Sequence, residues 1–275
     1  MKTGISSYTY GWAVDNGEMD AFELVRRADA QGFRLLQIGD NIALDGWSQE
    51  RLQSLGKTAQ RYEVELEVGM RGLTYLHALQ YIQIAQCLHA RLLRVVVDAA
   101  GYEPDPQQIV TILQQLTEPL EQADVVLAIE NHDRLSAGVL AEIICAVGHE
   151  RVGICLDTAN SFGAGEDVGT VLPILMPYAV NVHLKDFAIQ RLAHKQGFLL
   201  EGRPLGKGML PVQQILEQKR TFCPEANLIL ELWTPPEVRV EETIHKEAAW
   251  ALESMRFIKK MALDRAALFQ AVERS

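Results

Sequence analysis

The feature that most constrains this chain is a repeat. A short β-branched or apolar run is followed by a helical stretch of roughly 12–18 residues with apolar positions three and four apart, and the pair recurs along the chain. The runs that read as strands are residues 3–7, 35–38, 64–70, 92–97, 125–130, 152–157, 179–184 and 228–232. Their starts fall about 27–33 residues apart until the last interval, which is close to 50. Most of these runs are apolar almost throughout, as parallel strands covered on both faces should be. Eight such units fit a closed barrel better than an open sheet. The expected fold is α/β: a single (β/α)8 TIM barrel over residues 1–275, since no Gly/Ser-rich or Pro-rich tract and no block of like charge divides the chain.

The helices carry their own signals. The stretch from Asp20 to Gln31 places Phe22, Val25 and Ala28 on one face and stops at Gly32, a good C-cap. Leu76, Leu79, Ile82, Ile84, Ala85 and Leu88 read as a buried stripe, and Ile109, Ile112, Leu113, Leu116 and Leu120 as another.

Charge narrows the function. Lys plus Arg total 26 against 36 Asp plus Glu, a net charge of −10 that argues against nucleic acid or an anionic membrane as partner. No apolar run approaches the roughly 18–20 residues of a membrane span. The N-terminus enters strand-like sequence directly, with no signal-peptide core. Cys87, Cys145, Cys155 and Cys223 show no CxxC spacing and read as free, buried thiols in a reducing compartment. The expectation is a soluble cytoplasmic protein, with oligomeric state left open.

Four strand exits carry ligand-type side chains: Glu130 in Ile129-Glu130-Asn131-His132, Asp157 in Leu156-Asp157-Thr158-Ala159-Asn160, His183 in His183-Leu184-Lys185-Asp186, and Glu231 in Leu230-Glu231-Leu232-Trp233. In a barrel these exits converge at one mouth, where active sites sit. Three carboxylates cannot share a point without a cation, because like charges that close raise one another's pKa. A divalent ion resolves the conflict. Three oxygens and one nitrogen suit Mn²⁺ best, with Mg²⁺, Co²⁺ or Zn²⁺ as alternatives. A Lewis acid on a carbonyl oxygen together with a carboxylate on each face suits deprotonation next to that carbonyl. It equally suits loss of water or CO₂ through the same enediolate.

These segments resemble the xylose-isomerase-like sugar isomerase/epimerase superfamily of metal-dependent TIM barrels, most closely from Glu130 to Glu231. The resemblance implies Glu130, Asp157, His183 and Glu231 as metal ligands, with Glu130 and Glu231 doubling as the catalytic acid/base pair. His183-Leu184-Lys185-Asp186 matches the family's His-x-Lys-Asp segment. Asp157-Thr158-Ala159-Asn160 departs from the Asp-x-x-His of several members, and Asn160 can hydrogen-bond substrate but cannot shuttle a proton. The leading expectation is an isomerase or epimerase of a small sugar, sugar acid or sugar phosphate. The alternative is a lyase that decarboxylates or dehydrates a keto sugar acid. An endonuclease-IV-like enzyme is disfavoured, because the early strand ends supply none of the extra histidines it needs. A non-catalytic sugar binder would not require both glutamates.

Substrate contacts are expected from His132, Asn160, Lys185 and Arg203, with Trp12 and Trp233 walling the pocket. Glu67 and Asp40 also lie near strand ends but carry no assignment. From Lys185 to Lys207 five basic residues (Lys185, Arg191, Lys195, Arg203, Lys207) face two acids (Asp186, Glu201), a local +3 that ends in a glycine-rich turn. Arg203 is therefore expected to grip an anionic carbohydrate, since its planar fork pairs two oxygens at once.

Overall fold

The computed structural model describes residues 2–272, with side chains described through residue 261. Eight parallel strands close into a barrel: β1 (Thr3–Ser6), β2 (Leu35–Ile38), β3 (Glu65–Arg71), β4 (Leu92–Val96), β5 (Val126–Glu130), β6 (Val152–Asp157), β7 (Ala179–Leu184) and, after an intervening hairpin, β10 (Asn227–Leu230). Neighbours follow chain order around the ring, and β1 seals it against β10 with Thr3 opposite Leu228 and Ile5 opposite Leu230. The seam is tight. A Cβ on Gly4 would stand 2.8 Å from the Leu35 carbonyl oxygen, so only glycine fits there.

The barrel is wrapped by α2 (Ala21–Gln31), α3 (Gln49–Arg61), α4 (Tyr75–Leu88), α5 (Pro106–Ala123), α6 (Ala137–Val147), α7 (Val168–Leu175), α8 (Val212–Phe222) and α9 (Val240–Val272), after a short α1 (Gly11–Asp15). Six consecutive helices start where the sequence offers a capping oxygen: Asp20, Ser48, Thr74, Asp105, Ser136 and Asp167 each accept a backbone N–H three residues on. Gly32, at φ 82°, ends α2 as expected.

Two sequence expectations need correction. Leu76 is 77% exposed, while Ile82, Ile84, Ala85 and Leu88 of the expected stripe are buried together with Ala78 and Tyr81. Leu76 lies two residues before Ala78, about 200° around the helix, so it points to solvent. All four cysteines are free, but Cys145 is exposed and Cys87 only half-buried.

The long last interval holds what the periodicity did not show. β8 (Phe187–Arg191) and β9 (Phe198–Gly202) form an antiparallel hairpin outside the barrel, with Phe187 opposite Gly202. The hairpin occupies the space between β7 and α8, and this accounts for the spacing near 50.

One buried contact fixes the N-terminal segment. The carboxylate of Glu247 on α9 accepts the backbone N–H groups of Trp12 at 3.0 Å and Ala13 at 2.8 Å. Burial pushes this carboxyl up to about 7; the two N–H groups pull it down, and Asp15 and Glu18 push it up further. A carboxyl raised above its ordinary 4.5 stabilises the fold most below that value. That stability is lost as pH rises through about 7. Melting temperature of the wild type should therefore fall between pH 5 and pH 8 relative to Glu247→Gln, which lacks this titration. Parallel pH–melting curves for the two proteins would refute the assignment.

Candidate metal centre

The barrel order places β5, β6, β7 and β10 side by side. Glu130 is opposite Cys155, Asp157 opposite His183 and His183 opposite Ile229, so Glu130, Asp157, His183 and Glu231 leave adjacent strands in steps of no more than two residues and converge at the mouth. Glu231 follows directly after the last residue of β10. All four are buried, and one ligand atom from each lies within 4.8 Å of every other. His183 Nδ1 is 3.3 Å from Glu231 Oε2, 3.7 Å from Asp157 Oδ2 and 3.9 Å from Glu130 Oε1.

These atoms fit a divalent ion. Bonds of about 2.1 Å would set adjacent donors roughly 3 Å apart and opposed donors roughly 4 Å apart. Asp157 Oδ2, Glu231 Oε2 and both ring nitrogens of His183 are buried without a hydrogen-bond partner. Buried polar atoms are seldom left so, and a shared cation satisfies them together. Cys155 sits against the same group, but burial pushes its thiol up to about 11, so it keeps its proton and turns it toward Asn181 Oδ1.

Two cations brace the carboxylates. Lys185 Nζ lies 2.8 Å from Glu231 Oε1 and 3.3 Å from Asp157 Oδ2, and donates to Asn160 Oδ1 at 3.1 Å. Burial alone would raise the pKa of Asp157 and Glu231. The Lys185 ammonium and His183, together with the hydrogen bonds and charges around them, reverse this and hold both below the usual carboxylate range. Burial would likewise lower the Lys185 pKa, and the surrounding carboxylates raise it instead.

The second cation is Arg94, which sequence reasoning missed. It is buried in the middle of β4, its Nε donating to Glu130 Oε2 and its Nη1 to Asp40 Oδ1 at 2.6 Å. Asp40 also accepts Arg71 Nε at 2.8 Å. Burial would raise the Asp40 carboxyl, but Arg94 and Arg71 pull it down to about 2. A signal was present: one arginine inside the apolar run Leu92-Leu93-Arg94-Val95-Val96 demands a buried partner. Glu67 belongs elsewhere, near the start of β3, where Gln37, Asn181 and Asn227 each donate to its carboxylate.

The expected substrate contacts divide. Asn160 is in the site, but both ends of its amide are engaged: it receives Lys185 and donates to Glu130 Oε1 at 2.7 Å. His132 lines an open pocket of about 460 Å³ together with Arg71, Asp98, Asp133 and Arg134, and its Nδ1 contacts Asp133. Burial lowers its pKa; Glu130 works against this, and Arg71, Lys185 and Arg94 lower it further. Trp12 donates its indole N–H to Thr234 O, and Trp233 donates to Asp186 O, so both rings pin neighbouring loops.

Arg203 is not brought to the cluster by any contact among the described residues. It pairs with Glu201 at 3.3 Å and donates to the Gly202 carbonyl at 2.6 Å, and Lys207 pairs with Glu253. The N–H groups of the glycine-rich turn are also taken. Asp186 accepts Gly206 and Gly208 on one oxygen and Phe187 and Leu210 on the other. This knot consumes the donors that the sequence suggested for a ligand anion.

A closed eight-stranded parallel barrel with a buried acid–histidine cluster at the carboxyl ends of its strands defines the class of protein. The chain belongs to the xylose isomerase-like TIM barrel family, whose sequence model matches residues 20–261. It is 27% identical over 261 residues to a 3-oxo-isoapionate decarboxylase of Pectobacterium atrosepticum, covering 94% of this chain and 95% of that one. Among solved structures it resembles a D-psicose 3-epimerase of Clostridium cellulolyticum H10 with D-tagatose: TM-score 0.72, 15% identity, 94% of this chain and 97% of that one. It also resembles a xylose isomerase-like barrel of Mycobacterium smegmatis in complex with magnesium: TM-score 0.70, 13% identity, 92% and 96% covered. These likenesses in structure show the fold. Among the described residues, no helix is long and apolar enough to cross a membrane.

Two outcomes test the site. The wild type should bind one Mn²⁺ by titration calorimetry, and His183→Ala should bind it roughly 100-fold more weakly, having lost the only nitrogen donor. Unchanged affinity would dismiss the centre. In metal-free protein, Arg94→Met should cost roughly 3–5 kcal/mol in urea unfolding, because it removes the buried cation that Glu130 and Asp40 share and leaves them only Asn160 and Arg71. A loss below about 1 kcal/mol would show that these acids have other support.

Proposed function

We propose that this chain is a divalent-metal-dependent lyase that decarboxylates a small 3-oxo sugar acid through an enediolate. The observation that carries this reading is the unequal state of the two glutamates. Glu130 has one oxygen on Arg94 and the other on Asn160. Neither donor gives up a proton near neutral pH, so Glu130 is pinned as a ligand. Glu231 is paired through Oε1 with Lys185 and keeps Oε2 without a hydrogen bond. The site thus holds one carboxylate open to carry a proton rather than one base per substrate face. Epimerisation through two opposed bases needs two. Decarboxylation needs one proton, returned to carbon after the C–C electrons have moved toward the carbonyl oxygen.

A divalent ion, Mn²⁺ by the donor set, would supply Lewis acidity at the substrate carbonyl. The residues of the chain supply the rest. Arg94 and Asn160 hold Glu130 in place, and Lys185 keeps Asp157 and Glu231 ionised as ligands. Charge also points to an acid substrate. The linked network contains Asp40, Glu130, Asp157 and Glu231 against Arg71, Arg94 and Lys185, a sum of 3 − 4 = −1. Two positive charges bring it to +1, which favours an anion. The full-length similarity to a 3-oxo sugar acid decarboxylase supports the same reaction class.

Isomerisation or epimerisation is the second reading, favoured by the placement of Glu130 and Glu231 on the outer two of the four site strands. The deciding experiment incubates Mn²⁺-loaded protein with keto sugars and 3-oxo sugar acids in D₂O and follows both by NMR. Release of CO₂ with one deuterium placed on the product carbon is expected, and conversion of a neutral ketose to its epimer without CO₂ would overturn the lyase reading. Glu231→Gln should lower turnover roughly 100-fold or more by removing that base, and wild-type rates in that variant would remove Glu231 from the chemistry.

A further inference from the structure

The proposed reaction needs a hold on the substrate's carboxylate, and the residue expected for it from sequence is engaged elsewhere. Arg203 is bound to Glu201 and to the backbone, and the turn beside it is closed around Asp186. Lys185 and Arg94 are committed to the ligand carboxylates. Arg134, at the rim, is locked onto both oxygens of Asp98 and the Pro104 carbonyl.

Arg71 differs from all of these. It is the last residue of β3 and so stands at the same rim as the metal centre. Its Nε donates to Asp40 Oδ2 at 2.8 Å, and the other oxygen of Asp40 receives Arg94, which in turn holds Glu130. Asp40 therefore fixes the inner edge of the guanidinium. Among the described residues no other group bonds to Arg71, so Nη1 and Nη2 are left as a free fork. The side chain is 37% exposed and lines the pocket of about 460 Å³ that it shares with His132.

We propose that Arg71 is the specificity-determining residue for the substrate's anionic group, gripping a carboxylate through its two Nη atoms in the pocket shared with His132. This rests on the acid-substrate reading above. A planar fork oriented by a buried acid is preorganised for two parallel hydrogen bonds to a carboxylate, so little side-chain entropy is lost on binding. The chain Arg71–Asp40–Arg94–Glu130 also sets the anion subsite in register with the metal ligands, which fixes where the carboxylate lies relative to the carbonyl. Phosphate offers the same oxygens, and the test separates the two.

The probes are L-threonate, a four-carbon sugar acid, its neutral counterpart threitol, and inorganic phosphate. Binding to Mn²⁺-loaded protein is measured by calorimetry and by Mn²⁺-induced relaxation of the probe's protons. The wild type should bind threonate more tightly than threitol. Arg71→Gln should weaken threonate roughly 10- to 100-fold while leaving threitol and Mn²⁺ affinity unchanged. Arg71→Lys should restore part of the loss, having charge without the fork. Arg203→Gln should bind threonate like the wild type. Phosphate that displaces threonate from the wild type with higher affinity, an advantage lost in Arg71→Gln, supports the grip and makes a phosphate its anion. Equal threonate affinity in Arg71→Gln and wild type, or loss of it in Arg203→Gln, overturns the proposal while CO₂ release still stands as evidence for the lyase. Equal binding of threonate and threitol to the wild type, or binding of neither, overturns it together with the acid-substrate reading.

Discussion

Three carboxylates buried within a few ångströms of one another are the constraint on which this structure turns. Glu130, Asp157 and Glu231 are each carried to the barrel mouth by a parallel strand held in register with its neighbours, with one bulge between β6 and β7 below Asp157 and His183. Their repulsion cannot be relieved by moving apart without breaking the barrel. Positive charge has to come to them instead. Lys185 and Arg94 provide part of it from within the chain, and the atoms of Asp157, Glu231 and His183 that lack a hydrogen bond fit a bound cation. The buried network is therefore a consequence of the strand register.

The segment His183-Leu184-Lys185-Asp186 does several jobs in four residues. His183 and Lys185, two apart, face the same site, as the period of a strand dictates. Asp186 turns away and gathers four backbone N–H groups, folding the glycine-rich turn back onto the start of the hairpin. Gly208 has to be glycine there, since a Cβ would collide with the Asp186 carboxylate. The Trp233 indole, donating to the Asp186 carbonyl, joins the β10 loop to the same knot. The loop that closes one side of the mouth is thus held by a carboxylate that takes no part in the ligand cluster.

Much of this site was legible residue by residue. A polar side chain at the exit of an apolar strand is visible in one dimension, and strand exits of a barrel share one face. Glu130, Asp157, His183 and Glu231 could be named on that ground. Arg94, Asp40 and Arg71 escaped for different reasons. Arg94 lies mid-strand and acts only through Glu130 and Asp40, which are 36 and 54 residues away. Arg71 and Asp40 close strand-end runs that look ordinary until β2, β3 and β4 lie side by side. Arg203 misled in the opposite direction. Its basic, glycine-rich surroundings read as an anion site because sequence shows donors and not their acceptors, Glu201 and Asp186.

The sequence by itself determined the barrel, because eight apolar runs at a steady interval have few other ways to bury both faces, and capping residues mark where the helices start. It also determined which four side chains meet, since register follows from the strands. Only the tertiary structure decided what those side chains are bonded to. Whether a glutamate is pinned or free, and whether an arginine is spent or available, depends on partners far away in sequence. Hydrogen bonds and ion pairs act over about 3 Å of space, and no local pattern records which residues closure of the ring will bring that near.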